Sequence, residues 1–199
     1  MPPGTRQIGI FLFDHFEELD AVGPYEVFGA WSTRAPEDGW SVRTMSMGGV
    51  EVRGANGLVI RPDEDAQHVG HLDVLVYPGG KGTRALLANR DHLEWVRSMR
   101  ASVPLLASVC TGSLVLAAAG LLTGRPATTH WASLDYLASL DPTIDVRRDA
   151  RFVDDGDTVT SAGVSAGIDM ALHLVGRLAS PERAREVRHL IEYDPAPPF

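Results

Sequence analysis

The chain's one cysteine, Cys110, stands where an apolar run gives way to a helix-forming run. The residues before it, Val103-Pro104-Leu105-Leu106-Ala107-Ser108-Val109, have the near-continuous hydrophobicity of a buried parallel strand. Those after it, Thr111-Gly112-Ser113-Leu114-Val115-Leu116-Ala117-Ala118-Ala119, suit a helix that Gly120 ends. A side chain on such a bend projects outward, and Gly112 leaves room for the returning backbone. The start of the helix places partial positive charge beside the sulfur, which favours a thiolate. A free cysteine is most often a small buried hydrophobe; the bend is what argues for a nucleophile here.

A thiolate needs an acid/base partner, and an attacked carbon needs donors for the charge that develops. Two other segments follow apolar runs and could supply them. The first is acidic, with Glu17, Glu18 and Asp20; the second is Pro78-Gly79-Gly80. Consecutive glycines let the main chain approach a substrate, so the N–H groups of Gly80 and Thr111 are the expected donors. His130 could orient or deprotonate the thiol, or be a hydrogen-bonded histidine near a helix start. The remaining histidines show no metal-ligand spacing, and one thiol does not make a zinc site.

The elements that must position these residues follow from the pattern. Ile8-Gly9-Ile10-Phe11-Leu12-Phe13 and Leu72-Asp73-Val74-Leu75-Val76-Tyr77 read as buried strands, and 41–47 as a further strand. Residues 17–23 read as a loop or first turn, with Pro24 at the first position of a helix that continues to Trp31. Asn56-Gly57 signals a hairpin between 50–53 and 58–60, and Asp154-Asp155-Gly156-Asp157 a second between 151–153 and 158–160. Helices are expected over 84–100, 131–140, 164–178 and 181–193. Strands alternating with helices predict one α/β domain over 1–199, a mostly parallel sheet covered by helices on both faces. Sites in such folds lie at the carboxyl ends of the strands.

Composition bounds the partners. The 199 residues are 44% hydrophobic and carry 26 acidic against 18 basic residues, for a formal charge of −8. That balance argues against nucleic acid as the main partner. No run approaches the roughly 18 apolar residues that cross a membrane, and no apolar signal segment precedes the first strand. With a single cysteine, a reducing cytoplasm is the expected compartment.

Several motifs taken together resemble the DJ-1/PfpI (ThiJ/PfpI) superfamily, with its flavodoxin-like, class I glutamine amidotransferase-like fold, over nearly the whole chain. They are Leu19-Asp20-x-x-Gly23-Pro24, Pro78-Gly79-Gly80, Ser108-Val109-Cys110-Thr111-Gly112-Ser113-Leu114-Val115-Leu116, Ala127-Thr128-Thr129-His130-Trp131, Ala166-Gly167-Ile168-Asp169 and the closing residues 192–199. Within the superfamily the resemblance is to isocyanide hydratases. It implies that Cys110 is the nucleophile, Asp20 the acid/base carboxylate and Thr111 the threonine beside the nucleophile. It also implies hydration of an isocyanide to an N-formamide without metal or organic cofactor, and a homodimer. An apolar pocket, with Trp131 or residues of the 164–178 helix contributing, would suit an uncharged substrate. The peptidase-like members place histidine where this chain has Thr111. Thr160-Ser161-Ala162-Gly163 resembles instead the ligand-sensing half of AraC-type regulators, so a sensor domain is the alternative. An amidase or glyoxalase-like enzyme using the same cysteine is another.

Overall fold

The computed structural model describes residues 5–195. Its main sheet has seven strands in the order β10-β11-β7-β6-β1-β2-β5. In chain order these are β1 (Arg6–Leu12), β2 (Trp40–Ser46), β5 (Glu64–Asp65), β6 (Val74–Tyr77), β7 (Leu105–Val109), β10 (Phe152–Asp154) and β11 (Thr158–Ser161). All neighbours are parallel except β10 and β11. Two-stranded ladders join β3 (Val52–Arg53) to β4 (Val59–Ile60), and β8 (Pro126–Ala127) to β9 (Asp145–Val146). The β3/β4 and β10/β11 pairs are the two hairpins that the turn residues predict.

Helices cover both faces. On one lie α1 (Glu18–Arg34), α6 (Ala166–Leu178) and α7 (Pro181–Leu190), packed on one another. The other carries α2 (Thr83–Leu86), α3 (Arg90–Ser102), α4 (Gly112–Ala118) and α5 (Leu134–Leu140). This two-sided cover is why β6 and β7 are apolar but for Ser108 and the Tyr77 hydroxyl: all their residues are buried. Phe11 of β1 meets Tyr77 and Trp95 at ring-centroid distances of 5.3 and 4.6 Å, which seats α3 on the sheet.

The sequence reading differs from the structure at two helices. Of the two readings of 17–23 the structure takes the helical one and extends it: α1 begins at Glu18, so Pro24 lies inside the helix rather than at its first position. The ring gives up the hydrogen bond to the Asp20 carbonyl, a local cost that packing offsets. An added Cβ on Gly167 of α6 would lie 3.4 Å from the Pro24 ring, and one on Gly23 would lie 3.0 Å from Ile168. The two helices are therefore in close contact where the proline sits. The expected helix over 84–100 is two helices, because Asn89 takes extended φ/ψ and its side chain accepts from the His92 N–H, capping α3.

Three neighbouring strands, β7, β6 and β1, end at one edge of the sheet, with β11 beside them. From β1 the chain leaves toward β2 on one side, while β6 and β7 continue on the other. The crevice between such diverging connections is where parallel α/β sheets bind ligands.

Candidate active site

Cys110 leaves the end of β7 with φ of 56°, in the left-handed region that costs an L-residue roughly 1–2 kcal/mol. The bend is held from all sides. The Cys110 N–H donates to the carbonyls of Ser161 and Ala162, each at 3.1 Å. Its own carbonyl accepts from the Thr129 hydroxyl at 2.8 Å and the Ser113 hydroxyl at 3.2 Å. Gly112 is needed on steric grounds, since a Cβ there would lie 2.3 Å from the Tyr77 carbonyl oxygen. A strained non-glycine residue that this many partners fix is the geometry of a nucleophile elbow.

Asp20 comes from the first turn of α1 and is completely buried. Its Oδ2 accepts from the Gly79 N–H at 2.9 Å and its Oδ1 from the Val164 N–H at 3.1 Å. A side-chain hydrogen bond also joins Asp20 to Cys110. The carboxyl is pushed up to about 7, chiefly by burial; the nearby Glu17 charge raises it further against the lowering effect of its donors. The thiol is pushed up to about 12, by burial first and by the Asp20 charge second, against hydrogen bonds from Thr111. The expectation that the start of α4 would hold a resting thiolate is therefore overturned. That helix has only seven residues, and its dipole does not offset desolvation plus a neighbouring carboxylate. Below about 7 both groups hold a proton; as pH rises through about 7 the carboxyl loses its own and the thiol keeps its proton.

The glycines play a different part from the one expected. The Gly79 N–H is engaged with Asp20, and the Gly80 N–H donates to the Thr111 hydroxyl at 2.9 Å. Neither is free as a donor, and the Thr111 N–H is directed at the sulfur. What Gly79 and Gly80 supply is closeness. A Cβ on Gly79 would lie 2.4 Å from the Thr111 nitrogen, and one on Gly80 would lie 2.3 Å from the Glu17 nitrogen. These contacts draw three strand ends together around the sulfur.

A cleft of about 370 Å³ opens onto Cys110. His130 and Val164 form part of its wall. The His130 Nδ1 accepts from the Ala132 N–H at 3.2 Å, which leaves the proton of the neutral ring on Nε2. Among the described residues His130 makes no hydrogen bond to Cys110 or Asp20. Its ring fills the space beside Gly163, where a Cβ would lie 2.2 Å from Cδ2. It is a wall and a cap for the next turn rather than a base for the thiol. Trp131 is 78% exposed and lies outside the cleft. Glu18 turns away to bind the backbone and side chain of Asn56 at 2.6 and 2.7 Å.

The lining adds charge to the apolar surface expected, because Glu17, Lys81 and Arg84 are among its residues. Sequence reasoning passed over Lys81 and Arg84, although Lys81 is the only lysine in the chain. It also passed over the Val164 N–H, for which no local signal exists. Among the described residues no group of three His, Cys, Asp or Glu side chains is arranged to hold a metal ion, and no helix is long and apolar enough to cross a membrane. Of the closing motif, residues 196–199 lie outside the described residues.

Comparison with known proteins gives a consistent assignment. The DJ-1/PfpI family pattern matches residues 6–177. An isonitrile hydratase of Pseudomonas putida is 40% identical over 193 residues, spanning 97% of this chain and 81% of that protein. The HTH-type transcriptional regulator GbdR of Pseudomonas aeruginosa is 28% identical over 98% of this chain, which spans only 53% of the regulator. The crystal structure of a THiJ/PfpI family protein from Pseudomonas syringae superimposes with a TM-score of 0.88 at 34% identity, covering 98% of this chain and 78% of that one. The chain belongs to the DJ-1/PfpI family.

Proposed function

We propose that this protein is a hydro-lyase that converts an isocyanide and water to an N-formamide, with Cys110 as nucleophile and Asp20 as the group that moves protons. The observation that carries the reading is the buried Asp20 carboxyl, hydrogen-bonded to a thiol on a strained elbow and raised to about 7. An isocyanide carbon accepts a nucleophile and a proton at the same atom. As the sulfur attacks, its proton passes to Asp20 and from there to the carbon, giving a thioimidate in which carbon is bonded to nitrogen, hydrogen and sulfur. Asp20, again a carboxylate, takes a proton from water as the oxygen adds to that carbon and passes that same proton to the nitrogen. Collapse of the tetrahedral species forms the carbonyl as its hydroxyl gives up a proton, breaks the carbon–sulfur bond, and that proton goes to the departing sulfur. A carboxyl with a pKa near working pH suits a group that is both base and acid in one cycle. The Thr111 N–H and hydroxyl would steady the sulfur as it gains charge. The reading carries with it one domain, a small-molecule substrate and a homodimer.

The test is formamide production from a simple alkyl isocyanide. Turnover by the wild type, lost in Cys110→Ala and reduced by at least about 100-fold in Asp20→Asn, supports the reading; turnover in Cys110→Ala overturns it. A second reading, a ligand-sensing domain, is favoured by the match along 98% of this chain to about half of a transcriptional regulator. It predicts binding of a small molecule with no product released.

A further inference from the structure

The rim of the cleft carries two cations that the proposed chemistry does not use. Lys81 is the only lysine in a chain with 18 basic residues, and it opens onto the same cavity as the Cys110 sulfur. Arg84 stands beside it; among the described residues its one side-chain hydrogen bond is from Nη1 to the Thr83 hydroxyl at 3.0 Å. Neither has a carboxylate within ion-pair distance among the described residues. The backbone beneath Lys81 is fixed by two close approaches. A Cβ on Gly80 would lie 2.3 Å from the Glu17 nitrogen, and one on Gly82 would lie 2.0 Å from the Asp14 carbonyl oxygen. The Gly82 N–H donates to the His15 carbonyl at 3.1 Å. Lys81 is thus rooted on a rigid segment, with only its side chain left to move. Among the described residues that line the cleft the one acidic side chain is Glu17, with Asp20 buried behind it.

We propose that Lys81 and Arg84 form an anion-recognition subsite, and that the substrate of this cleft carries a carboxylate in addition to the group attacked by Cys110. The carboxylate would sit at the rim, where an ammonium and a guanidinium both reach it, and the reactive carbon would point inward to the sulfur. In combination with the reading of the preceding subsection, on which it rests, the substrate class is a carboxylate-bearing isocyanide.

Two arms test this separately from the hydratase reading. In the first, Cys110 is alkylated with iodoacetate and with iodoacetamide, the sulfur displacing iodide in both cases. The ratio of the two rates is expected to fall about 3- to 10-fold in Lys81→Met and in Arg84→Met, and to recover in Lys81→Arg. The wild-type ratio is expected to fall as salt is raised. A ratio unchanged in both Met variants overturns the subsite, as does failure of both reagents to reach Cys110. In the second arm, formamide formation is compared for an isocyanide carboxylate and its methyl ester. A higher kcat/KM for the carboxylate, lost in Lys81→Met, supports the substrate class, and preference for the ester overturns it. If neither isocyanide is hydrated, the hydratase reading falls and the alkylation ratio still decides the anion subsite.

Discussion

The ionisation of Asp20 makes the protein's stability depend on pH in a way that one substitution isolates. Burial raises this carboxyl from its ordinary 3.8 to about 7. The folded state therefore favours the neutral carboxyl. The associated stability is fully present below the unfolded value and is lost as pH rises through about 7. Three pH units at about 1.4 kcal/mol each set an upper limit of about 4 kcal/mol. Asp20→Asn does not titrate. Its amide also sets an NH2 against one of the two N–H donors, but that penalty is the same at every pH and cancels in a difference. The thiol, held up at about 12, does not titrate in the wild type across the range used. Denaturant unfolding of both proteins at about pH 5 and about pH 8 should show the wild type losing about 3 kcal/mol relative to Asp20→Asn over that interval. Parallel pH profiles would refute the reasoning, because they would mean that Asp20 ionises in the folded state as it does in the unfolded chain.

Three further outcomes follow from the same geometry. Cys110→Gly should be more stable than Cys110→Ala by about 1 kcal/mol in thermal unfolding, because only glycine is relaxed at a φ of 56°; the opposite order would mean the bend is not strained. Gly112→Ala should lose about 2–3 kcal/mol and most activity, since its Cβ meets a main-chain oxygen at 2.3 Å; near-wild-type melting would contradict that contact. In Asp20→Asn the pH at which Cys110 is half alkylated should fall below the wild-type value, as the carboxylate charge that raises it is gone.

Much of the scaffold was legible because its signals are local. The run 105–109 is apolar at each step but Ser108, Gly112 follows two residues after Cys110, and Asn56-Gly57 closes a hairpin by its own backbone preference. Asn89 was an equally local signal, an N-cap two residues before Asp91, and it marks the break that periodicity alone bridges. Pro24 misled because its meaning depends on Gly167 and Ile168, residues far along the chain that pack against it. The site's chemistry is less local still. Asp20 receives hydrogen bonds from residues 59 and 144 positions away, and its pKa is set by burial that only the assembled sheet produces. The glycines after β6 do stand beside Thr111 and the cleft, but sequence could not reveal that their N–H groups were already engaged.

The central claim is that carbon–sulfur bond formation at Cys110 precedes formamide release. Acid quenching of the wild type and Asp20→Asn during reaction with an isocyanide, followed by peptide mass spectrometry, tests it directly. A mass increase equal to one isocyanide is predicted on the wild-type peptide containing Cys110, and less of it in Asp20→Asn, because the proton transfer that accompanies sulfur attack also runs through that carboxylate. Formamide formed at the wild-type rate with no adduct on that peptide would contradict it.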